Sequence, residues 1–413
     1  MANSFNYVDW LSAETLRLLL NKLQVAQYFN TDYNSEFEKS FAVGETVRVN
    51  YPQRFTVRDG MGYTPQGINR INTTIVCDQF FGIDFEWDSA EQALKMERGM
   101  DKIRKEYLEP AAAQLAQEWD SRAAKFAYQN CNNIVGVLGT DPSSFQTMNQ
   151  ARQRMVEKAC PPGGAKAMII PPSVNTSLVN AAVSYFNPAD AISKQYKEGS
   201  IGRNSGFDWY ESMSLYSHTA GTWSGAVSLA SAVTTQGATS LSVTCTTGDT
   251  FKKGDVIGIA SCYAVNPSTR RRTTTATTMQ VVVTQDVTGA ANAATVQIYP
   301  PLYGPGSQYQ NVDALPAASA TLTLFPGTSS PNGKSGIQGL AIHEQAFALV
   351  GVKLESPKAT EVTSQTRDPE TGIAVRFVRM FDPQQSKMIN RFDTLGGFGV
   401  LYGDNCCTRV LCA

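Results

Sequence analysis

The strongest constraint on the fold is a helical apolar pattern that runs from about residue 89 to residue 130. Asp88 and Glu91 form a start that resembles a capping box. Apolar side chains then recur at steps of three or four, at Met100, Ile103, Tyr107, Ala111, Leu115, Trp119, Ala123 and Phe126. At ~1.5 Å per residue this helix would be ~60 Å long. We predict one helix packed on a sheet and kinked at Pro110, rather than a coiled coil, because steady flanking charge pairs are lacking.

The residues before this helix predict an amphipathic helix and a two-stranded arm, and both need another surface to pack against. Residues 12–29 have a Ser start and leucines at helical spacing, which predicts an amphipathic helix. Residues 45–60 alternate apolar and polar side chains, and residues 73–87 are rich in β-branched and aromatic side chains. Because Gly and Pro lie between these two segments, we expect a long two-stranded arm. A lone ribbon is marginal in water, so the arm should rest on another surface.

After the long helix the chain changes character twice. Residues 131–222 alternate short helices and strands, which favours an α/β or α+β arrangement. From residue 223 the composition shifts to short strands separated by Gly, Pro, Ser, Asn and Asp. This predicts a small inserted all-β domain over roughly 223–330. The residues after the insertion again predict mixed strands, which complete the lobe that the insertion interrupts.

Charge and hydropathy exclude several classes of protein. The 413 residues carry 35 basic and 36 acidic side chains, so no overall field attracts nucleic acid or an anionic membrane. The N-terminal segment does not have the pattern of a signal peptide, and no apolar run reaches the ~18 residues of a membrane helix. We therefore expect no membrane partner and a protein made and used in the cytosol.

The residues that carry catalytic chemistry do not form a recognised motif. The segment HEQAF begins at His343 but has Phe347 where a zinc protease needs its second histidine, and the other histidine is the distant His218. No G-x-S-x-G elbow, P-loop or dinucleotide fingerprint occurs. Asp84 and Glu86 are more typical of an acidic strand face than of a hydrolase pair. We expect no enzyme activity and no cofactor.

Eight cysteines are scattered along the chain, apart from the cluster CCTRVLC. In a reducing compartment most of them should be free, buried thiols. Neither a metal role nor a disulfide role is favoured for Cys406, Cys407 and Cys412, since paired C-x-x-C spacing is missing. The sequence thus predicts no metal site.

Two segments invite a binding function. The stretch GSIGRNSGFDWYESM contains Gly199, Gly202 and Gly206, but its flanks do not supply the strand and helix of a phosphate loop, so these glycines are better interpreted as backbone hinges with positive φ. Arg270, Arg271 and Arg272 are not interleaved with aromatic side chains for base stacking. A solvated loop or contacts with an acidic neighbour fit these arginines better than nucleic acid.

The glycine stretch belongs to a longer segment, KEGSIGRNSGFDWYESMSLYSHTAG, that resembles the major capsid proteins of tailed phages, especially the coat-protein family of short-tailed phages. The resemblance continues in order through AMIIPPSVNTSLVNA, TFKKGDVIGIAS and RDPETGIAVRFVRMFDPQQSKMINRFDTLGGFGVLYGD. It implies an α+β capsid fold of the Hong Kong ninety-seven type. Its parts would be an N-terminal arm (1–35), an extended loop (36–88), a spine helix of the peripheral domain (89–135), the first part of an axial domain (136–222), the inserted β-domain (223–330) and the completion of the axial and peripheral domains (331–413).

The resemblance also implies a function. Subunits would assemble as hexamers and pentamers into an icosahedral shell that encloses phage DNA, in the host cytoplasm. The expected partners are other copies of the chain, a portal protein, a separate scaffolding protein and possible decoration proteins, with the double-stranded DNA enclosed non-specifically. The loop tip RDGMGYTPQGINR has no lysine, so covalent cross-linking of subunits is not expected.

Two other functions and one hypothesis about inter-subunit contacts remain open on the sequence alone. An encapsulin-like cellular compartment shares the implied fold, and the Thr- and Ser-rich strands alone would suit a carbohydrate-binding or hydrolytic protein. Within the capsid interpretation, Arg270, Arg271 and Arg272 are candidate inter-subunit contacts that pair with carboxylates of an adjacent subunit.

Overall fold

The computed structural model describes residues 7–34, 46–58, 60–63, 65–68, 71–88, 104–137, 140–182, 201–273, 277–325, 333–354, 362–369, 371–382, 384 and 387–412. The α-helices are Tyr7–Leu20, Glu109–Asn130, Phe145–Glu157, Pro172–Ala182 and Gly403–Cys406. The strands before the all-β segment are β1 Thr46–Asn50, β2 Asn72–Asp88, β3 Ile134–Val135, β4 Lys166–Ile170, β5 Arg203–Asn204, β6 Phe207–Glu211 and β7 Ser217–Thr219. Those within it are β8 Val227–Leu229, β9 Ala238–Thr244, β10 Thr250–Phe251, β11 Val256–Tyr263, β12 Thr278–Val283, β13 Val287–Thr288, β14 Ala293–Leu302 and β15 Thr321–Phe325. The remaining strands are β16 Ser335–His343, β17 Phe347–Val352, β18 Val362–Arg367, β19 Ala374–Asp382, β20 Lys387–Val400 and β21 Cys407–Leu411.

The predicted α+β class is confirmed, and the chain forms two compact units. The first contains Met1–Val49, Asn72–Ala123 and Phe347–Leu401, and the second contains Asn50–Ile71, Ala124–Ala346 and Tyr402–Ala413. No helix in the described part of the chain combines the length and apolar character that a bilayer crossing requires. The six domains expected from the resemblance stay predictions.

The first unit is built on a six-stranded sheet in the order β1-β2-β20-β19-β18, with β17 also paired to β20. The strand β2 matches the predicted segment 73–87, but it is not half of a lone ribbon, because it pairs antiparallel with β20 from Val76–Phe398 to Asp88–Lys387. The predicted strand over 45–60 is wrong beyond residue 50. Pro52 lies two residues beyond the end of β1 and has no N–H to donate to a ladder.

The helix Glu109–Asn130 buries Trp119 against this sheet. Trp119 is fully buried, and its ring meets Phe81 and Phe398 edge-on, with centroids 5.0 and 5.8 Å away. Gly396 makes this packing possible, since a Cβ there would lie 2.5 Å from the Trp119 ring. The predicted stripe at Leu115, Trp119 and Ala123 is therefore the buried face.

The start of the predicted long helix lies partly outside the described residues, which begin again at Arg104. A π-helical turn, Arg104–Leu108, stands directly before Glu109–Asn130. Pro110 is the second residue of the α-helix, and its ring nitrogen has no hydrogen to donate to the preceding turn. The irregular turn thus lies where the α-helical ladder loses a donor. A kink at Pro110 stays a prediction.

The predicted N-terminal helix over 12–29 has different ends in the structure. It spans Tyr7–Leu20, and a short 3-10 turn follows at Ala26–Tyr28. Ser12 is not a cap, because it is the sixth residue of this helix, and its hydroxyl contacts the Ser364 and Thr366 hydroxyl oxygens at 2.9 and 2.7 Å. A tertiary contact has taken the place of the local cap that the sequence suggested.

Asp120 of the long helix organises the chain after this N-terminal helix. Its Oδ1 accepts hydrogen bonds from the Val25 and Ala26 N–H groups, both at 2.9 Å, and its Oδ2 accepts one from Gln24 at 2.8 Å. Burial raises the pKa of the Asp120 carboxyl group, and the three N–H donors oppose that shift. The carboxylate holds the segment that leads into the 3-10 turn.

We expect Asp120→Ala to lower the free energy of unfolding by about 2–3 kcal/mol, because two buried N–H groups and one part-buried N–H group lose their acceptor. Asp120→Asn is the matched control: it keeps the Oδ1 acceptor for Val25 and Ala26 and should cost about 1 kcal/mol. Urea unfolding of the unassembled subunit measures both variants. Equal losses would show that the carboxylate is not the determinant.

The second unit contains a seven-stranded sheet in the order β3-β21-β16-β4-β6-β5, with β7 also paired to β16. The glycine stretch turns the chain from β5 into β6. Ser205 and Gly206 have φ of +55° and +79°, as the central residues of a type I′ hairpin require. Gly202 is also at positive φ, at +69°, so that part of the glycine prediction is confirmed. Gly199 lies outside the described residues.

The segment predicted as all-β forms a closed barrel in the order β11-β12-β14-β9-β8-β15. Its interior is aliphatic and includes Leu241, Val243, Ile257, Ile259, Val281, Val283, Val296 and Leu324. The strands fall within the predicted range 223–330, and closure leaves no free edge among the six barrel strands. That this segment is a separate inserted domain stays a prediction.

Asp249 holds two turns at one end of the barrel segment. Its Oδ1 accepts hydrogen bonds from the Ser224 N–H at 2.8 Å and the Ser224 hydroxyl at 2.7 Å, and its Oδ2 accepts one from the Thr246 N–H at 2.9 Å. Burial disfavours the charged form of Asp249, but these three hydrogen bonds outweigh burial and hold its pKa below the ordinary value.

A pKa that is depressed in the folded state makes this contribution pH-dependent. It is present in full above the unfolded pKa of about 4 and is lost as pH falls through the lower folded value. We expect the stability advantage of the wild type over Asp249→Asn to be constant above about pH 5 and to shrink towards pH 3. Urea unfolding at a series of pH values measures it, and an unchanged difference at pH 3 would contradict the prediction.

Candidate assembly surface

The three predicted arginines lie in a tight loop that joins Val265 to Arg272, which form an isolated β-bridge. Asn266 shapes this loop. Its Oδ1 accepts hydrogen bonds from the N–H groups of Ser268 and Thr269 at 2.9 and 3.1 Å, and its Nδ2 donates to the Glu157 carbonyl at 2.7 Å. The loop is thereby tied to the end of the helix Phe145–Glu157.

The loop gives the three arginines different surroundings. The Arg272 guanidinium pairs with the Asp313 carboxylate at 2.5 Å and stacks 4.3 Å from the centroid of the Tyr263 ring. Arg270 has φ of +56° and donates through Nη2 to the Gln308 carbonyl at 3.5 Å. Arg271 is exposed. Arg272 therefore already has a carboxylate in its own chain, whereas Arg271 presents its charge to solvent.

The segment 51–68 presents large apolar side chains to solvent. Phe55, Val57, Met61, Tyr63 and Ile68 have exposures of 67, 97, 101, 87 and 76%. Scattered apolar side chains are normal at a protein surface, but five within fourteen residues are typical of an interaction site.

Polar contacts attach this apolar segment to Gln308 and Tyr309 of the same unit. Gln53 Nε2 donates to Gln308 Oε1 at 2.8 Å, and the Tyr309 hydroxyl donates to Gln53 Oε1 at 3.2 Å. Gln308 Nε2 donates to the Gly67 carbonyl at 3.2 Å. Since Arg270 also contacts Gln308, the arginine loop and the apolar segment share a support. We call the arginine loop 265–272 and the segment 51–68 together the assembly surface.

The paired carboxylates of β2 have ordinary structural partners. Lys387 Nζ lies 2.6 Å from Glu86 Oε1, and Arg391 Nε lies 3.6 Å from Asp84 Oδ1. Both are exposed cross-strand ion pairs between β2 and β20. This geometry matches an acidic strand face rather than a hydrolase pair.

Comparison with known families decides what kind of protein presents these surfaces. A family model described as "P22 coat protein - gene protein 5" matches residues 83–405, which is more than half of the chain. The chain belongs to the P22 coat protein family. The resemblance to coat proteins of short-tailed phages is thereby confirmed. The protein is a structural coat protein of a phage capsid, and its place is the virion.

This coat protein is also similar to solved phage structures. One is from Mycobacterium phage Che8, with 12% identity and a TM-score of 0.49 over 94% of this chain and 90% of that chain. The cyanophage P-SCSP1u capsid has 11% identity and a TM-score of 0.42 over 90% of this chain and 85% of that chain. The mature capsid of bacteriophage PhiM1 has 10% identity and a TM-score of 0.43 over 90% of this chain and 83% of that chain. No curated protein matches the chain.

The coat protein also contains a group of metal-ligating side chains that sequence spacing did not reveal. Cys160, His343 and Cys406 come together in the second unit, although 183 and 63 positions separate them along the chain. A hydrogen bond from the Cys406 thiol lowers the pKa of the Cys160 thiol, and the same hydrogen bond raises the pKa of Cys406. The described residues hold one such group of three. No short-range signal marks it, because each ligand comes from a different element.

Proposed function

We propose that this coat protein assembles with copies of itself, as hexamers and pentamers, into an icosahedral shell that encloses double-stranded phage DNA. The observation that carries the proposal is the exposed apolar run over 55–68, because a second copy of the chain can remove this surface from water. The net charge of −1 suits non-specific enclosure of DNA better than direct binding. The family favours a phage shell over an encapsulin-like compartment.

Other partners follow from the same proposal. Assembly takes place in the host cytoplasm with a separate scaffolding protein and a portal protein, and decoration proteins are candidate outer ligands. The shell is held by non-covalent contacts. These partners are identified by co-purification with shells from cells that express the coat protein together with its neighbouring genes.

We expect the wild-type coat protein, co-expressed with its neighbouring genes, to form uniform hollow shells in negative-stain electron microscopy. Val57→Asp/Met61→Asp should remain folded by circular dichroism but lose most shells, since two charges would be buried at the contact. Val156→Asp is the control, because Val156 is an exposed apolar residue outside the assembly surface. A persistent wild-type monomer under all conditions would overturn the proposal, and normal shells from the double variant would exclude this segment as a contact.

The arginine loop supplies a second contact in the proposed shell. We expect Arg270→Ala/Arg271→Ala/Arg272→Ala to lower the shell yield and the salt concentration at which shells fall apart, because charges opposite carboxylates of a neighbour are lost. Arg272→Ala alone shows how much of the effect comes from losing the Asp313 pair. Lys252→Ala/Lys253→Ala removes the same sign of charge elsewhere in the barrel segment. Shells of unchanged yield and salt resistance would rule out these contacts.

A further inference from the structure

Three ligand side chains converge in the second unit from elements that are distant in sequence. Cys160 follows the helix Phe145–Glu157, His343 is the last residue of β16, and Cys406 is the last residue of the helix Gly403–Cys406. Their two sulfur atoms and one imidazole nitrogen all lie within 4.8 Å of one another. His343 and Cys406 are buried, whereas Cys160 is half-buried.

Backbone hydrogen bonds hold each of these residues in place. The Cys160 N–H donates to the Met155 carbonyl at 3.0 Å, and Ala159, two residues beyond the end of the helix, has φ of +61°. The Cys406 N–H donates to the Tyr402 carbonyl at 2.9 Å. His343 is fixed by its register opposite Lys166 of β4. The three side chains therefore meet without a loop having to move.

Both ring nitrogens of His343 have backbone partners, and Nδ1 is the nitrogen that a metal would use. Nε2 donates to the Gly163 carbonyl at 2.6 Å, so the proton is on Nε2 and the lone pair is on Nδ1. A metal-bound histidine commonly donates its other N–H to a carbonyl in this way. The Gln345 N–H contacts Nδ1 at 3.1 Å and would give up this acceptor to a metal ion.

The donor set determines which metal fits. Two thiolates and one imidazole suit Zn²⁺, whereas Mg²⁺ and Ca²⁺ prefer oxygen ligands. Cys406 also lines a cavity of about 470 Å³ together with Ala159, Tyr402 and Asn405. Water from this cavity can complete a tetrahedral site.

We propose that Cys160, His343 and Cys406 bind one Zn²⁺ ion per chain, with a water molecule as the fourth ligand. The two thiols bind as thiolates, so their protons are released to solvent. The ion joins the end of a helix, the end of β16 and the short helix before β21. Its role is structural, because it adds a cross-link at the edge of the sheet where β16 already pairs with β4 and β21. This proposal replaces the sequence expectation of no metal and does not depend on shell assembly.

The test uses the full-length unassembled subunit, reduced with a phosphine and then titrated with Zn²⁺ and Co²⁺ in metal-free buffer. We expect one equivalent to bind, the melting temperature to rise with Zn²⁺, and the Co²⁺ complex to show thiolate-to-cobalt charge transfer in the near ultraviolet. Cys160→Ser and Cys406→Ser should each lower the affinity by at least about tenfold and weaken the charge-transfer band. Cys77→Ser is the matched control, since Cys77 is also half-buried but lies in the first unit.

Two results would overturn the zinc site. One is a reduced wild-type subunit that binds neither ion stoichiometrically, and the other is binding that both cysteine variants retain unchanged. If a variant fails to fold, the Co²⁺ spectrum of the wild type still decides, because a complex without thiolate charge transfer has no cysteine ligand. Loss of binding only in unreduced protein would indicate a disulfide between Cys160 and Cys406.

Discussion

The pairing of β2 with β20 is the constraint on which the first unit depends. An extended strand of 17 residues leaves a long row of backbone donors and acceptors that require partners. The strand β20 supplies them on one side, and β19 and β17 pair with β20 in turn. Because 298 residues (89–386) lie between β2 and β20, the unit needs both of these distant segments before it can form. Gly396 of β20 then lets Trp119 approach the sheet, which links the strand pairing to the helix that covers it.

Buried aspartates recur as a second means of holding the fold together. Asp120 accepts hydrogen bonds from the N–H groups of residues 24–26, and Asp249 accepts hydrogen bonds from the N–H groups of Ser224 and Thr246. Asp255 accepts hydrogen bonds from the N–H groups of Gly221 and Lys252, and its Oδ1 lies 2.6 Å from Nε2 of His218. In each case a carboxylate satisfies backbone donors in irregular segments that no strand pairing reaches, which offsets the cost of burying its charge. His218 therefore belongs to a structural cluster rather than a catalytic one.

The proposed assembly surface and the proposed zinc site place different demands on the chain. The segment 51–68 keeps apolar side chains exposed at a cost to the isolated subunit, and the proposed assembly would recover this cost by covering them. The thiol and imidazole group lies among buried backbone contacts, where it can stabilise one subunit alone.

The sequence by itself determined the type of most elements and the positive φ of Gly202 and Gly206, because the apolar period and the turn residues encode local backbone. Leu115, Trp119 and Ala123 could be assigned to a buried face for this reason. The resemblance to the coat-protein family came from the order of several segments along the chain. The tertiary structure alone decided which distant groups meet. Ser12 contacts Ser364 instead of capping its helix, Arg272 meets Asp313, and Cys160 and Cys406 meet His343. These contacts depend on sheet register and chain closure over tens to hundreds of residues, which no local pattern specifies.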